Sequence, residues 1–204
     1  MKMLLFSDVH CDATAARRLV AAAERVDVVV GAGDFASARN GLGELTDTLR
    51  LIDRPIVLVA GNAETHDELT EAWQGHASAH VLHGSGCRIQ GVSFWGVGGA
   101  IPVTPFGSWS FDLTEEEGAA LLEPCPPGAV LVTHAPPFGL LDHGSRGISI
   151  GSRSILATIE RCRPPLVVCG HVHACSGRTL TYQESIVINA GPRGVVHVLR
   201  SRSD

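Results

Sequence analysis

Five short apolar runs in this chain each stop at a turn that carries aspartate, asparagine or histidine, and this pattern restricts the fold more than any other feature. The sharpest case is Leu166–Cys169, closed by Gly170 and followed by His171 and His173. An apolar run of this length bounded by glycine reads as a buried strand ending in a tight turn. Residues two apart on an extended backbone point the same way, so both imidazoles are expected to face one point just beyond the strand. The design recurs along the chain. Lys2–Phe6 leads to Asp8 and His10, Val26–Val30 to Asp34, Ile56–Val59 to Asn62, and Val130–Thr133 to His134.

Helical segments separate these runs, which suits an α/β protein with a buried sheet. Asp12 is placed to cap a helix over Ala13–Glu24, and a second helix is expected over Leu42–Ile52. Thr65 with Glu68, and Thr114 with Glu117, make capping-box patterns for two short helices, the latter ending at Leu122. Another helix is expected over Ser152–Arg161. From about Ala79 the rhythm changes: Val81–His83, Arg88-Ile89 and Val92–Gly96 read as short antiparallel strands joined by glycine turns. A glycine- and proline-rich loop covers Gly98–Trp109, and the tail alternates strands and turns over Arg178–Tyr182, Ser185–Asn189 and Gly194–Leu199. With 204 residues and 45% hydrophobic content, residues 1–204 are expected to form one domain.

A formal net charge of −5 and the lack of any basic run argue against a general nucleic-acid or lipid-surface binder. No apolar stretch approaches membrane-spanning length. The apolar start Met3–Phe6 is too short for a secretory leader, and the six cysteines show neither a CxxC pair nor zinc-finger spacing. They are therefore expected to be reduced thiols in a cytoplasmic protein.

In an open α/β sheet, ligands collect beyond the carboxyl ends of the strands. Asp8, His10, Asp34, Asn62, His134, His171 and His173 together offer carboxylate, imidazole and amide donors there, a mixed shell suited to manganese, iron, cobalt, nickel or zinc. Seven donors are too many for one ion and natural for two that share a carboxylate. Two ions roughly 3.5–4 Å apart can clamp a phosphoryl group during in-line displacement. Gly33, Gly61 and Gly170 flank the donors where the chain must turn sharply without a side chain in the way.

The ordered set Asp8-Val9-His10, Gly33-Asp34, Gly61-Asn62-Ala63-Glu64, Thr133-His134-Ala135 and Gly170-His171-Val172-His173 resembles the five motifs of the calcineurin-like metallophosphoesterases. That resemblance implies a four-layer αββα sandwich, two mixed β-sheets flanked by helices, with the metals at one edge of the sheets. It implies one ion held by Asp8, His10, Asp34 and His173, a second held by Asp34, Asn62, His134 and His171, and Asp34 as the bridge. The implied cofactor is a pair of divalent ions, manganese first, with iron, zinc, cobalt, nickel and magnesium as alternatives. The implied activity is phosphoester hydrolysis by a metal-bound hydroxide, on phosphodiesters in preference to phosphomonoesters. The implied substrate is a small phosphoester, nucleotide-derived esters included.

One position departs from the family pattern. Many members carry a histidine after the asparagine, where it protonates the leaving group; here it is Ala63. The variant resembles the small bacterial and archaeal phosphodiesterase branch, and also a retromer subunit of the same fold that works as a protein-binding scaffold. General-acid help is worth ~10²–10⁴-fold. His66 is a candidate replacement, weighed against an ordinary histidine in a first helical turn. His143 and Arg146, in the loop after His134, are candidates for binding a phosphate oxygen, as is Arg153 at a helix start. Trp95, Phe106 and Trp109 are candidates for the substrate side of the cleft, against ordinary packing. Cys11, Cys169 and Cys175 adjoin the donors but are expected to act as small hydrophobes. His76, His80, His83 and His197 are expected to face solvent, and Asn189-Ala190-Gly191-Pro192 to form a turn behind the site. The rival readings are a scaffold with vestigial metal sites and a one-metal hydrolase of another bond type.

Overall fold

In the computed structural model, which describes residues 1–144 and 147–200, two mixed β-sheets stack face to face between helices. The first sheet holds β1 (Lys2–Phe6), β2 (Val28–Ala32), β3 (Ile56–Val59), β4 (Ala79–Val81) and β11 (Val195–Val198), in the order β11-β1-β2-β3-β4. The second holds β5 (Ser85–Ile89), β6 (Val92–Val97), β7 (Val130–Thr133), β8 (Leu166–Cys169), β9 (Thr179–Tyr182) and β10 (Ser185–Asn189), in the order β5-β6-β7-β8-β10-β9. The helices are α1 (Ala13–Ala23), α2 (Leu42–Leu49), α3 (His66–Ala72), α4 (Glu115–Leu122) and α5 (Arg153–Cys162).

Strand alternation sorts the apolar side chains into three cores. Leu4 and Phe6 of β1 point toward Ala16 and Leu19 of α1 and Leu45 and Leu49 of α2. Met3 and Leu5, on the opposite face, meet Val130, Val132, Val168 and Ile188 of the second sheet. The far face of that sheet, Leu131, Val167 and Val187, packs on Leu122 of α4 and on Ile155 and Ile159 of α5. Central strands are thus buried on both sides, which explains why they read as continuous Val, Ile and Leu runs. Truncating one such side chain to alanine costs about 2–5 kcal/mol.

Helix starts follow the sequence expectations. Asp12 accepts the Thr14 and Ala15 amides, and both capping boxes close. Several boundaries shift: β2 begins at Val28 rather than Val26, α1 ends at Ala23 and α2 at Leu49. The larger correction concerns the expected antiparallel strand over Val81–His83. That strand is β4, at Ala79–Val81, and it pairs parallel to β3 because helix α3 makes the connection a crossover. The expected hairpin is β5–β6, closed by Gln90 and Gly91, both at positive φ as a two-residue hairpin turn requires. Among the described residues no helix is long and apolar enough to cross a membrane.

Candidate metal centre

The seven side chains singled out in the sequence converge from both sheets. Asp8 and His10 follow β1, Asp34 follows β2 and Asn62 follows β3; His134 follows β7, and His171 and His173 follow β8. One group comprises Asp8, His10, Asp34 and His173, whose donor atoms all lie within 4.8 Å of one another. In it His10 Nε2 is 3.5 Å from Asp34 Oδ2 and 3.2 Å from His173 Nε2, while His173 Nε2 is 3.6 Å from Asp8 Oδ1. The second group lies on the other side of Asp34. His134 Nε2 is 3.4 Å from Asp34 Oδ1 and 3.2 Å from Asn62 Oδ1, and His171 Nδ1 is 3.1 Å from Asn62 Oδ1 and 3.2 Å from His134 Nε2. The two oxygens of Asp34 therefore face different sets of imidazoles.

His171 and His173 do not meet at one point, as an extended backbone would have them. His171 sits at φ 66°, and His173 opens a short 3₁₀ turn, His173–Cys175. The break sends one ring to each group. Asp8, His10 and Asp34 also have positive φ, at 55°, 44° and 57°. Such backbone is uncommon outside glycine, and it persists where surrounding contacts fix it, often at functional sites.

Those contacts are specific. Ser7 Oγ donates to Asp8 Oδ2 at 2.5 Å and accepts the Gly191 amide, and the His171 amide donates to Asp8 Oδ1. Glu64, fully buried, accepts the amides of Asp34, Ala36 and Gly61 at 2.9, 2.9 and 2.6 Å. Asn189 Nδ2 donates to the carbonyls of Gly170 and Val172, so the expected turn behind the site fixes the histidine-bearing loop. A Cβ on Gly61 would stand 2.1 Å from the Asp34 amide and carboxylate, and one on Gly170 would stand 2.6 Å from Ser7. At both glycines close approach, rather than a left-handed turn, is the reason for the residue; Gly33, at φ 86°, is the true turn glycine.

Protonation decides what the cluster can hold. Nδ1 of His10 donates to the Ala36 carbonyl at 3.0 Å, and Nδ1 of His134 to the Ala32 carbonyl at 2.8 Å. In the neutral rings the Nε2 lone pairs then point inward. Asn62 donates Nδ2 to Ser110 Oγ at 3.0 Å, which turns Oδ1 inward as well. Lone pairs converging on carboxylate and amide oxygens repel unless a cation or proton lies between them, so this donor set fits divalent metal. In its absence a proton takes that place. Burial disfavours charge on His134, but Asp34 and then Asp8 override it and lift the pKa to about 9. Burial and the neighbouring His134 push His171 down to about 4. Burial would raise both Asp8 and Asp34, yet their histidine partners hold each carboxyl below the usual range. Burial and the charge of Asp34 raise Glu64 to about 7.

A cleft of about 360 Å³ opens over the cluster, with His10, Asp34, Asn62, His171 and His173 on its floor and Ala63, Phe106, Trp109 and Ile150 on its walls. Phe106 and Trp109 thus line the cleft, where ordinary packing was the safer expectation. Trp95 does not: its Nε1 donates to the Leu121 carbonyl and its ring packs on the outer core. His66 lines a different hollow with Asp67 and Thr70, and its ring stacks on His83 at 5.2 Å. The expectation that His83 faces solvent is wrong. His83 is half-buried between His66 and Phe111, accepts the Gly98 amide, and is pushed by burial to about 4. His76, His80 and His197 are also partly buried, with His76 packed edge-on to Trp73. His143 is exposed beside Asp142, and Arg153 stacks on Phe138 at 4.0 Å; neither lines the cleft. Arg146 lies outside the described residues. Cys169 and Cys175 are buried, as small hydrophobes should be, while Cys11 is half-exposed and donates to the Asn40 carbonyl.

Sequence reasoning missed the roles of Ser7, Glu64 and Ser110, and it placed Asn189 behind the site without its side-chain bonds to the Gly170 and Val172 carbonyls. Glu64 was visible inside a motif, and a glutamate directly after a buried strand and its turn was the one available signal.

Comparison with known proteins bears on the family and the fold. The family model described as a calcineurin-like phosphoesterase superfamily domain matches residues 1–198. A Caenorhabditis elegans protein of the UPF0046 group is 29% identical over 185 residues, and the match covers 80% of this chain and 62% of that protein. The chain thus spans about three-fifths of the length of this curated relative. Among solved structures, TT1561 of Thermus thermophilus superposes with a TM-score of 0.74 at 17% identity, covering 93% of this chain and 88% of that one. A dimetal phosphatase from Danio rerio superposes with a TM-score of 0.63 at 13% identity, covering 93% and 86%. At these identities the two structures share the fold.

Proposed function

The chain belongs to the calcineurin-like phosphoesterase superfamily, a family of metal-dependent hydrolases, and on that premise we propose that it is a dinuclear phosphodiesterase acting on small phosphodiesters. The observation that carries this reading is Asp34, whose Oδ2 faces His10 at 3.5 Å and whose Oδ1 faces His134 at 3.4 Å. One carboxylate between two imidazole groups suits two cations better than one. Asp8, His10, Asp34 and His173 would hold the first, and Asp34, Asn62, His134 and His171 the second. We assign manganese as the working metal, with iron, zinc, cobalt, nickel and magnesium as competitors for the same mixed donors. Bound there, divalent ions supply an activated water and neutralise charge building on a phosphoryl group.

The protein's own groups do the rest. Ala36 and Ala32 carbonyls hold the His10 and His134 rings in the tautomer that aims Nε2 inward. Ser110 orients Asn62, and Glu64 fixes the Asp34 turn. None of the described residues lining the cleft is lysine or arginine, and Phe106, Trp109 and Ile150 give it an apolar wall. A phosphodiester, with one negative charge and two substituents, suits such a cleft better than a dianionic monoester. Ala63 offers no proton to a leaving alkoxide, and His66 stands outside the cleft, so esters with acidic leaving groups should turn over best. All six cysteines are free, which is compatible with the cytoplasmic setting we assign.

The test is metal analysis of the purified protein followed by assay of bis(p-nitrophenyl) phosphate. Two ions per chain, loss of hydrolysis with a chelator and recovery with manganese are expected. Full activity in rigorously metal-free protein would end this reading. A chain that binds no ion and hydrolyses nothing would instead be a scaffold of the same fold.

A further inference from the structure

At the mouth of the cleft two aromatic rings are held in the open. Phe106 and Trp109 stack on each other with ring centroids 5.6 Å apart and planes 14° apart, and they remain 50% and 36% exposed. Exposed apolar side chains that adjoin one another at the rim of a cleft can serve as a contact surface for a ligand. The segment that carries them is built. The Ala100 amide donates to the Phe111 carbonyl, and the Leu113 amide donates back to Ala100, which closes the loop at its base. Asp112 then accepts from the Thr104 amide, the Thr104 hydroxyl and the Ser110 hydroxyl at 2.9, 2.8 and 2.6 Å, and so braces the tip from inside.

The same loop is tied to the metal centre. The Phe111 amide donates to the Asn62 carbonyl at 2.9 Å, and Asn62 Nδ2 donates to Ser110 Oγ. The aromatic pair therefore keeps a fixed relation to the floor of the cleft. The described lining residues include no lysine or arginine, and the ionisable ones among them lie on that floor. A second phosphate or an acidic peptide would find no counter-charge among the described wall residues. The space, about 360 Å³, is at the small end of ligand pockets and suits one phosphoryl group with one ring.

We propose that Phe106 and Trp109 form a stacking platform for a planar ring on the substrate, so that the preferred phosphodiesters carry a nucleobase-like heterocycle. This rests on the phosphodiesterase reading above. Stacking a base on an aromatic side chain shifts affinity by about tenfold to a hundredfold. The two residues would set specificity and take no part in bond breaking.

The test uses two substrates that differ only in the ring: thymidine 5′-(trifluoroethyl phosphate) and the same ester of 1,2-dideoxyribose. The leaving group is aliphatic, so it does not compete for the platform, and released trifluoroethanol is followed by fluorine NMR. The manganese-loaded wild type is expected to prefer the thymidine ester by about tenfold or more in kcat/KM. Phe106→Ala and Trp109→Ala should each cut that ratio several-fold, while Trp109→Phe should keep most of it. In parallel, equilibrium dialysis compares thymidine 5′-monophosphate with 1,2-dideoxyribose 5-phosphate on the same proteins. Tighter binding of the thymidine compound, weakened in both alanine variants, would support the platform even if neither ester is hydrolysed, in which case the phosphodiesterase reading fails alone. A wild-type ratio near one, or equal losses on both compounds in the alanine variants, would overturn the platform.

Discussion

Glu64 holds Asp34 in place from behind: its buried Oε1 accepts the Asp34 amide at 2.9 Å and the Gly61 amide at 2.6 Å, while Oε2 accepts the Ala36 amide at 2.9 Å. One carboxylate thus pins both turns that bring Asp34 and Asn62 into the candidate metal centre. Its charge is opposed by burial and by Asp34, which raise its pKa to about 7, while the Gly61 and Ala36 amides and the charge of His134 favour the ionised form.

Glu64→Gln should therefore be far from conservative. Glutamine keeps one acceptor oxygen, so either the Ala36 amide or the Asp34 and Gly61 amides would face an NH₂ group. Leaving a buried donor unpaired costs about 1–3 kcal/mol, and at this chain length each kcal/mol lowers Tm by about 2–4 °C. Thermal melts should show that drop, and manganese affinity measured by calorimetry should fall with it. A variant with unchanged Tm and unchanged affinity would show that these amides find other partners.

The convergence of the seven candidate donors was legible in the sequence because each follows a β-strand whose burial forces a continuous apolar run. Asp34 after Val28–Ala32 and His134 after Val130–Thr133 announce themselves this way. Less was legible where a local pattern has several physical outcomes. Glu64 reads like any charged residue near a helix start until the three amides around it are seen. His171 and His173 read as an extended pair because a positive φ at a histidine leaves no mark in composition or periodicity. The placement of β4 depends on the crossover through α3, which a run of only three residues, Ala79–Val81, could not reveal. His83 looked exposed because its partners, His66 and Phe111, are distant in sequence.

The position of Asp34 between the two groups predicts unequal losses of metal. Asp34→Ala should release both ions, since each of its oxygens faces a different set of imidazoles. Asn62→Ala removes a donor next to His134 and His171 only, and should release one. Metal content per chain, measured after gel filtration, distinguishes the two. If each variant keeps one ion, Asp34 does not bridge.

The protonation of His134 predicts a stability curve for the chelator-treated protein. An ordinary histidine titrates near 6.5, whereas here Asp34 and Asp8 outweigh burial and raise it to about 9. Between those values the folded state binds more protons than the unfolded chain, so stability falls as pH rises. The contribution is fully present below pH 6.5 and gone above about 9, with an upper bound of about 3 kcal/mol. His173, raised by its contact with Asp8, bends the curve the same way. Glu64, raised to about 7, is half-titrated there and adds to the decline at the lower end of this window, while His171, near 4, acts only on the acid side. Melts of metal-free protein across this window should show a declining Tm, and His134→Gln should flatten most of the decline. Manganese must displace the proton, so its binding near pH 7 should release acid into a weakly buffered solution. A metal-free Tm that rises between pH 6.5 and 9 would contradict the proton's presence on His134.

The leaving group offers the last and most exposed prediction. Ala63 is buried at the cleft wall, with its amide donating to Asp34 Oδ1 at 2.8 Å, so the position touches the metal centre but carries no acid. An alkoxide gains most from a proton donor as it departs, and a nitrophenolate needs little. Wild-type kcat/KM should therefore depend steeply on leaving-group pKa across a series of phosphodiesters. Ala63→His would project an imidazole into the cleft, and it should raise alkyl esters by about tenfold or more while leaving nitrophenyl esters nearly unchanged. His66 is the control. Its ring stacks on His83 and lines a separate hollow, so His66→Ala should leave the slope as it was. A flat dependence in the wild type would mean that some other group already supplies the proton, and a slope that steepens in His66→Ala would identify that group as His66.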